Sequence, residues 1–172
     1  MKKNMLRIPL VLISLALIIS GIRWMISDEP WMLDQVANEE RLNMTFTELL
    51  SVDENFTLSG YLTQMYRFLG LYVVGIGMFL LAFSSEKTLK ISFVRTRIYC
   101  VLGSLLIVNL IVAYNWIPSS HFIYVMWAAL FLFIISLYAH INISWNETDY
   151  PIIIFFLFCF NYTITEFYFR SD

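Results

Sequence analysis

Charge is scarce in this chain. Lysine and arginine number 11 and aspartate and glutamate 13 among 172 residues, 14% together, where a soluble domain of this size carries about a quarter. Cysteine is nearly absent too: Cys100 and Cys159 both fall in apolar runs, with no Cys-x-x-Cys pair. That excludes a disulfide framework and leaves the two as small packed hydrophobes. Four prolines and six glycines, without a repeat or a low-complexity tract, exclude a collagenous or linker-rich chain. Histidine is limited to His121 and His140, so there is no His-x-x-x-His metal pair. A Gly-x-Ser-x-Gly elbow and a phosphate-binding glycine loop are missing as well. No catalytic set identifies itself, no cofactor is implied, and the basic residues form no nucleic-acid stripe.

What remains is apolar: 59% of the residues are hydrophobic and 17% aromatic. The apolar residues gather into runs separated by short polar stretches, which is the pattern of a membrane protein. A helix needs about 20 apolar residues to cross the hydrocarbon. Residues 6–24, 61–84, 97–117, 121–141 and 150–169 qualify. The expected fold is an all-α polytopic transmembrane helical bundle, one membrane domain over residues 1–172. Five spans are expected, with four as the alternative. The fifth segment is interrupted by Asn161, Thr163, Thr165 and Glu166, and its alternative is a re-entrant or interfacial helix. The first segment follows Lys2, Lys3 and Arg7 but has no Ala-x-Ala cleavage site, which reads as an uncleaved signal anchor.

Lys2, Lys3 and Arg7 precede the first span, and Lys87, Lys90, Arg95 and Arg97 crowd the connection before the third. Both regions are therefore expected on the cytoplasmic side. The connection 27–60 then faces outward. It is acidic, with Asp28, Glu29, Asp34, Glu39, Glu40, Glu48, Asp53 and Glu54 against Arg41 alone. Such a length predicts ordered structure: an interfacial turn or helix near Trp31–Val36, and a short helix beginning near Asn43 or Thr45 with Phe46, Leu49 and Leu50 on one face. Asn-x-Ser/Thr matches fall on both predicted sides of the membrane, so they read as chance, and a bacterial inner membrane is the expected location.

In the second span Thr63, Gly70, Gly77 and Ser84 recur every seven residues. With Arg67, Val74 and Leu81 between them they form one helical stripe, expected to pack closely against another helix. Arg67 is the exception on that stripe, because a charge in the hydrocarbon is costly. The predicted topology places Gln64, Arg67, Asn109, Asn115, His121 and Glu166 in the outer half, with inner halves almost purely apolar until His140. These six residues are the candidate polar pocket, with Arg67 paired to Glu166 or to an outer-loop carboxylate.

The run from Arg67 to Leu81, RFLGLYVVGIGMFLL, resembles the second-span signature of small four-helix membrane proteins of the DoxX-like type. Those have an Arg/Tyr-x-x-Gly start followed by a Gly-rich apolar helix. The long connection after span one and the basic one before span three are similar as well, so the resemblance covers about residues 5–140. It implies a helical bundle and not an assured activity. The fifth span departs from it, and no redox cysteine pair supports an oxidoreductase role. The partners expected are the lipid bilayer and either a membrane protein or a lipid-like ligand. The function expected is a non-catalytic interaction subunit or small-ligand binder. Its alternative is a membrane-embedded enzyme or transporter for an apolar substrate.

Overall fold

The structure is a computed structural model that describes residues 2–144. The fifth expected span, 150–169, and Glu166 with it, lie outside the described residues. Four long helices dominate: α1 (Lys2–Ile26), α4 (Leu58–Phe83), α6 (Ser92–Trp116) and α7 (Phe122–Ser144). Between α1 and α4 come a 3-10 turn at Pro30–Asp34, the short helices α2 (Gln35–Leu42) and α3 (Phe46–Leu50), and a second 3-10 turn at Asp53–Asn55. A one-turn helix, α5 (Glu86–Leu89), leads into α6. All four long helices are long and apolar enough to cross a membrane, and no strand occurs among the described residues.

α1 is the centre of the bundle. It packs on α4 along one side and α7 along the other, and α7 in turn packs on α6. Successive long helices alternate in direction, so neighbours in this α4–α1–α7–α6 order run antiparallel. One end of the bundle carries the N-terminus and α5, and the other carries the 27–57 connection. They are called the N-terminal end and the connection end below.

α1 shows why the sequence folds this way. Leu6, Leu10, Ile13, Ser14 and Gly21 are buried, while Met5, Ile8, Leu12, Leu15, Ile19, Ile22 and Ile26 are exposed. The exposed set advances by steps of three and four, and the buried set falls on the opposite face, so both faces of the helix are largely apolar. Large side chains form the outward one, as in a helix facing lipid. The inner one is partly small, and smallness is what lets helices approach when lipid removes the hydrophobic drive to associate.

The α1–α4 contact is backbone on backbone. A Cβ added at Gly70 would lie 2.7 Å from the Gly21 carbonyl oxygen, and one at Gly21 would lie 2.6 Å from that of Gly70. At Gly77 it would meet the Ser14 carbonyl oxygen at 2.9 Å. Any side chain there forces the helices apart. Gly75, off the stripe, meets nothing within 4 Å. Gly21 supplies the half of this contact that lies on α1. The hydroxyls along the same helices bond backward within their own helix: Ser14 to Leu10 O at 2.7 Å, Thr63 to Ser59 O at 2.9 Å and Ser84 to Leu80 O at 2.6 Å. This satisfies them without a partner helix.

Two expectations need correction. The third long helix begins at Ser92 rather than at Arg97. Arg95, read from the sequence as a loop cation, lies in its opening turn and is only 2% exposed.

Candidate functional site

Polar side chains gather at both ends of the bundle, in different ways. At the N-terminal end, Arg95 and Tyr99 stand four residues apart on α6, and Ser136 and His140 four apart on α7. The spacing puts each pair on one helical face. Arg95 Nε–H donates to His140 Nδ1 at 3.0 Å and its terminal nitrogen donates to Leu89 O at 2.9 Å. Since Nδ1 accepts, the ring proton of His140 sits on Nε2. The Tyr99 ring stacks on His140 with centroids 4.6 Å apart and an interplanar angle of 11°. The Tyr99 hydroxyl meets that of Ser136, and Ser136 Oγ–H donates to Leu6 O on α1 at 2.5 Å. One serine thus joins α6, α7 and α1.

Arginine, histidine, tyrosine and serine together are an inventory for acid–base chemistry, but all four are buried. The hydrogen bonds named above join helices of the bundle, with α5 held through Leu89. A satisfied network in a low-dielectric interior fixes which helix faces meet. This cluster is a lock.

At the connection end the polar contacts are peripheral. Pro30 sets the first turn, the left-handed Asn43 (φ 59°) closes α2, and Thr45 with Glu48 forms a reciprocal capping box that opens α3. Backbone and side-chain hydrogen bonds from Thr45 hold the Glu48 carboxyl below its ordinary value. Trp31, Ala37 and Phe46 are buried, a small core for this cap. Five contacts tie it to the bundle. Asp34 accepts from Ser120 Oγ at 2.5 Å and pairs with His121 Nδ1 at 3.1 Å. Glu40 accepts from Ser119 Oγ. Asn38 Nδ2 donates to Tyr66 OH on α4 at 3.1 Å. Arg41 lies over the Trp116 ring on α6, 4.5 Å from its centroid.

Ser120, His121 and Asp34 have the composition of a catalytic triad and the wrong wiring. Serine and histidine each address a different oxygen of the carboxylate, whereas a triad needs the histidine between the other two. Ser120 is buried and its Oγ also accepts the Phe122 N–H at 3.2 Å. Asp34 is a staple between the cap and the turn before α7. Among the described residues no group of three or more His, Cys, Asp or Glu could hold a metal ion.

No family model, curated protein or solved structure matches the chain. The site must be read from its own residues.

Of the six residues expected to form one pocket, Glu166 lies outside the described residues, and no hydrogen bond among the described residues joins the other five. Asn109 and Asn115 are exposed and bond back to Leu105 O at 2.7 Å and Ile111 O at 2.8 Å on their own helix. Gln64 is exposed, and His121 is taken by Asp34. Arg67 is half-buried, and its Nε is out of solvent without a hydrogen-bond partner among the described residues. Its expected ion pair with a carboxylate of the connection does not form among the described residues; Asp34, Glu39, Glu40 and Glu48 are engaged elsewhere. The physical reason is local. Asparagines inside apolar helices satisfy themselves on the preceding turn, so they need not converge. On the small-residue stripe, Gly70, Gly77 and Ser84 are buried and Thr63 is half-buried. The residues that sequence reasoning missed, Arg95, Tyr99 and Ser136, carried one usable signal: two four-residue polar spacings in separate apolar helices.

Proposed function

We propose that this protein is a non-catalytic integral membrane protein, an interaction subunit whose working surface is the cap formed by residues 27–57. In this reading the N-terminus is cytoplasmic, the cap faces outward, and the membrane is the inner membrane of a bacterium. The observation that carries it is the way the cap is held. Five side-chain contacts to α4, α6 and the turn before α7 fix it, yet its outer surface leaves Val36 at 70% and Phe56 at 82% exposure. Asp28, Glu29, Glu48, Asp53 and Glu54 are exposed on it as well. A rigid surface of acidic and apolar groups fits a partner with a basic, partly apolar face, because ordering costs little on binding.

The cytoplasmic assignment of the N-terminus rests on Lys2, Lys3, Arg7, Lys87, Lys90 and Arg97. Removing the buried Arg95 from that tally leaves the asymmetry intact. The likeness of residues 67–81 to DoxX-like proteins supports a four-helix bundle and adds nothing about activity.

Site-specific photocrosslinkers at Val36 and Phe56 in native membranes test the reading. A discrete protein adduct at both positions is expected, absent from a crosslinker at Phe131 on the apolar face of α7, and weakened when salt is raised. Lipid adducts alone at Val36 and Phe56 would contradict it.

A further inference from the structure

Arg67 belongs to neither polar cluster. Its Nε is shielded from solvent with no acceptor among the described residues, although a guanidinium offers five N–H donors in a planar fork. Its place on α4 is a rim. Gly70, three residues on, is buried against α1, while Gln64 three residues back and Leu71 four residues on are exposed. The stem is therefore covered by the bundle and the head reaches the perimeter.

Its depth is also defined. From Phe68 to Phe83 the helix has no charged residue. From Arg67 to Phe83 it rises about 24 Å at about 1.5 Å per residue, a little less than the roughly 30 Å of hydrocarbon in a bilayer. Arg67 thus stands at the hydrocarbon boundary of the connection-end leaflet when the apolar run fills the membrane. Aromatic side chains mark the same level. Trp24 meets Tyr66 edge-on, and Trp127 Nε1 donates to Tyr114 OH at 2.8 Å. Exposed Tyr61, Phe68 and Tyr72 flank the position on α4. Such a belt lies at the headgroups.

We propose that Arg67 and Gln64 form a binding site for the phosphate of a membrane phospholipid in the leaflet at the connection end. Arg67 supplies the charge and the fork, which matches two phosphate oxygens. Gln64, on the same face at a spacing of three, adds an amide donor, and the exposed apolar residues below them take the acyl chain. The site shares with the proposed function only the placement of the bundle in a bilayer, so failure of partner capture at the cap leaves it standing.

Native mass spectrometry of the full chain, released from detergent with added lipid, tests it. The probes are phosphatidylglycerol, diacylglycerol with the same acyl chains, and inorganic phosphate as competitor. Wild-type protein is expected to retain phosphatidylglycerol at least about tenfold better than diacylglycerol, and inorganic phosphate is expected not to displace it. Arg67→Met should abolish that preference, Gln64→Leu should cut it about threefold, and Arg67→Lys should keep part of it. Equal retention of the two lipids by wild-type protein would overturn the site, as would an undiminished preference in Arg67→Met. Displacement by inorganic phosphate would make it a soluble-anion site and overturn the assignment to lipid. Where Arg67→Met yields no folded protein, Arg67→Lys and Gln64→Leu decide: a preference unchanged in both overturns it.

Discussion

The two ends of the bundle use polar residues for opposite purposes. At the N-terminal end, Arg95, Tyr99, Ser136 and His140 are buried and bond helix to helix. At the connection end, Asp34, Asn38, Glu40 and Arg41 bond a surface layer to the ends of helices whose contacts are already made. The first arrangement decides which faces of α1, α6 and α7 meet. The second decides where an outward surface is held. What a polar group joins, core helix to core helix or cap to helix end, separates one that specifies the fold from one that presents a surface; burial does not, since Asp34 and Ser120 are buried as well.

The comparison breaks most readily at Arg95. Arg95→Ala strands the His140 Nδ1 acceptor and the Leu89 carbonyl in the interior, a loss of roughly 3 kcal/mol at the cost of about 1–3 kcal/mol per unsatisfied buried group. A large drop in thermal midpoint in lipid nanodiscs is the expected readout. Ser136→Ala comes next. It removes the hydroxyl that joins three helices, and about 1–2 kcal/mol should follow, since hydrogen bonds between membrane helices are individually modest. Asp34→Asn keeps the shape and removes the charge that holds His121. Global stability should change by about 1 kcal/mol, because the amide keeps a hydrogen bond with the buried Ser120 and the half-exposed His121 alone loses its charged partner. Protease nicking within 27–57 should rise severalfold all the same.

The smallest effect is set by pH at the edge of the cap. Hydrogen bonds from Thr45 lower the Glu48 carboxyl, so Glu48 favours the capped helix fully above the ordinary glutamate value. That contribution disappears as pH falls through the lowered value. The protection of α3 amides, taken relative to their intrinsic exchange rate at each pH, should therefore fall on acidification and lose this dependence in Glu48→Gln.

The four long helices and the glycine stripe were legible in the sequence because each depends on a local pattern. Apolar runs of sufficient length declare spans, and a seven-residue recurrence declares a face. The short helix expected near Asn43 or Thr45 is likewise local, and it begins at Phe46, where the Thr45–Glu48 capping box opens it. The lock was not legible, for two reasons. Arg95 sits among Lys87, Lys90 and Arg97, so a topology signal masks it. Its partner His140 is 45 residues away, and only packing brings them together. The expected pocket went astray the other way. Shared depth in a membrane does not make residues neighbours, and Asn109 and Asn115 each had a nearer acceptor on their own helix.

The central claim is that the two ends are energetically separate, one a lock for the bundle and one a mount for the cap. Hydrogen–deuterium exchange of the full chain in lipid nanodiscs, comparing Ser136→Ala with Asp34→Asn, tests this most directly. Ser136→Ala should raise exchange together in α1, α6 and α7 near the N-terminal end and leave 27–57 unchanged. Asp34→Asn should raise exchange in 27–57 and at the start of α7 only. Exchange that spreads through α1 and α6 in Asp34→Asn, or stays within α7 in Ser136→Ala, would contradict the account.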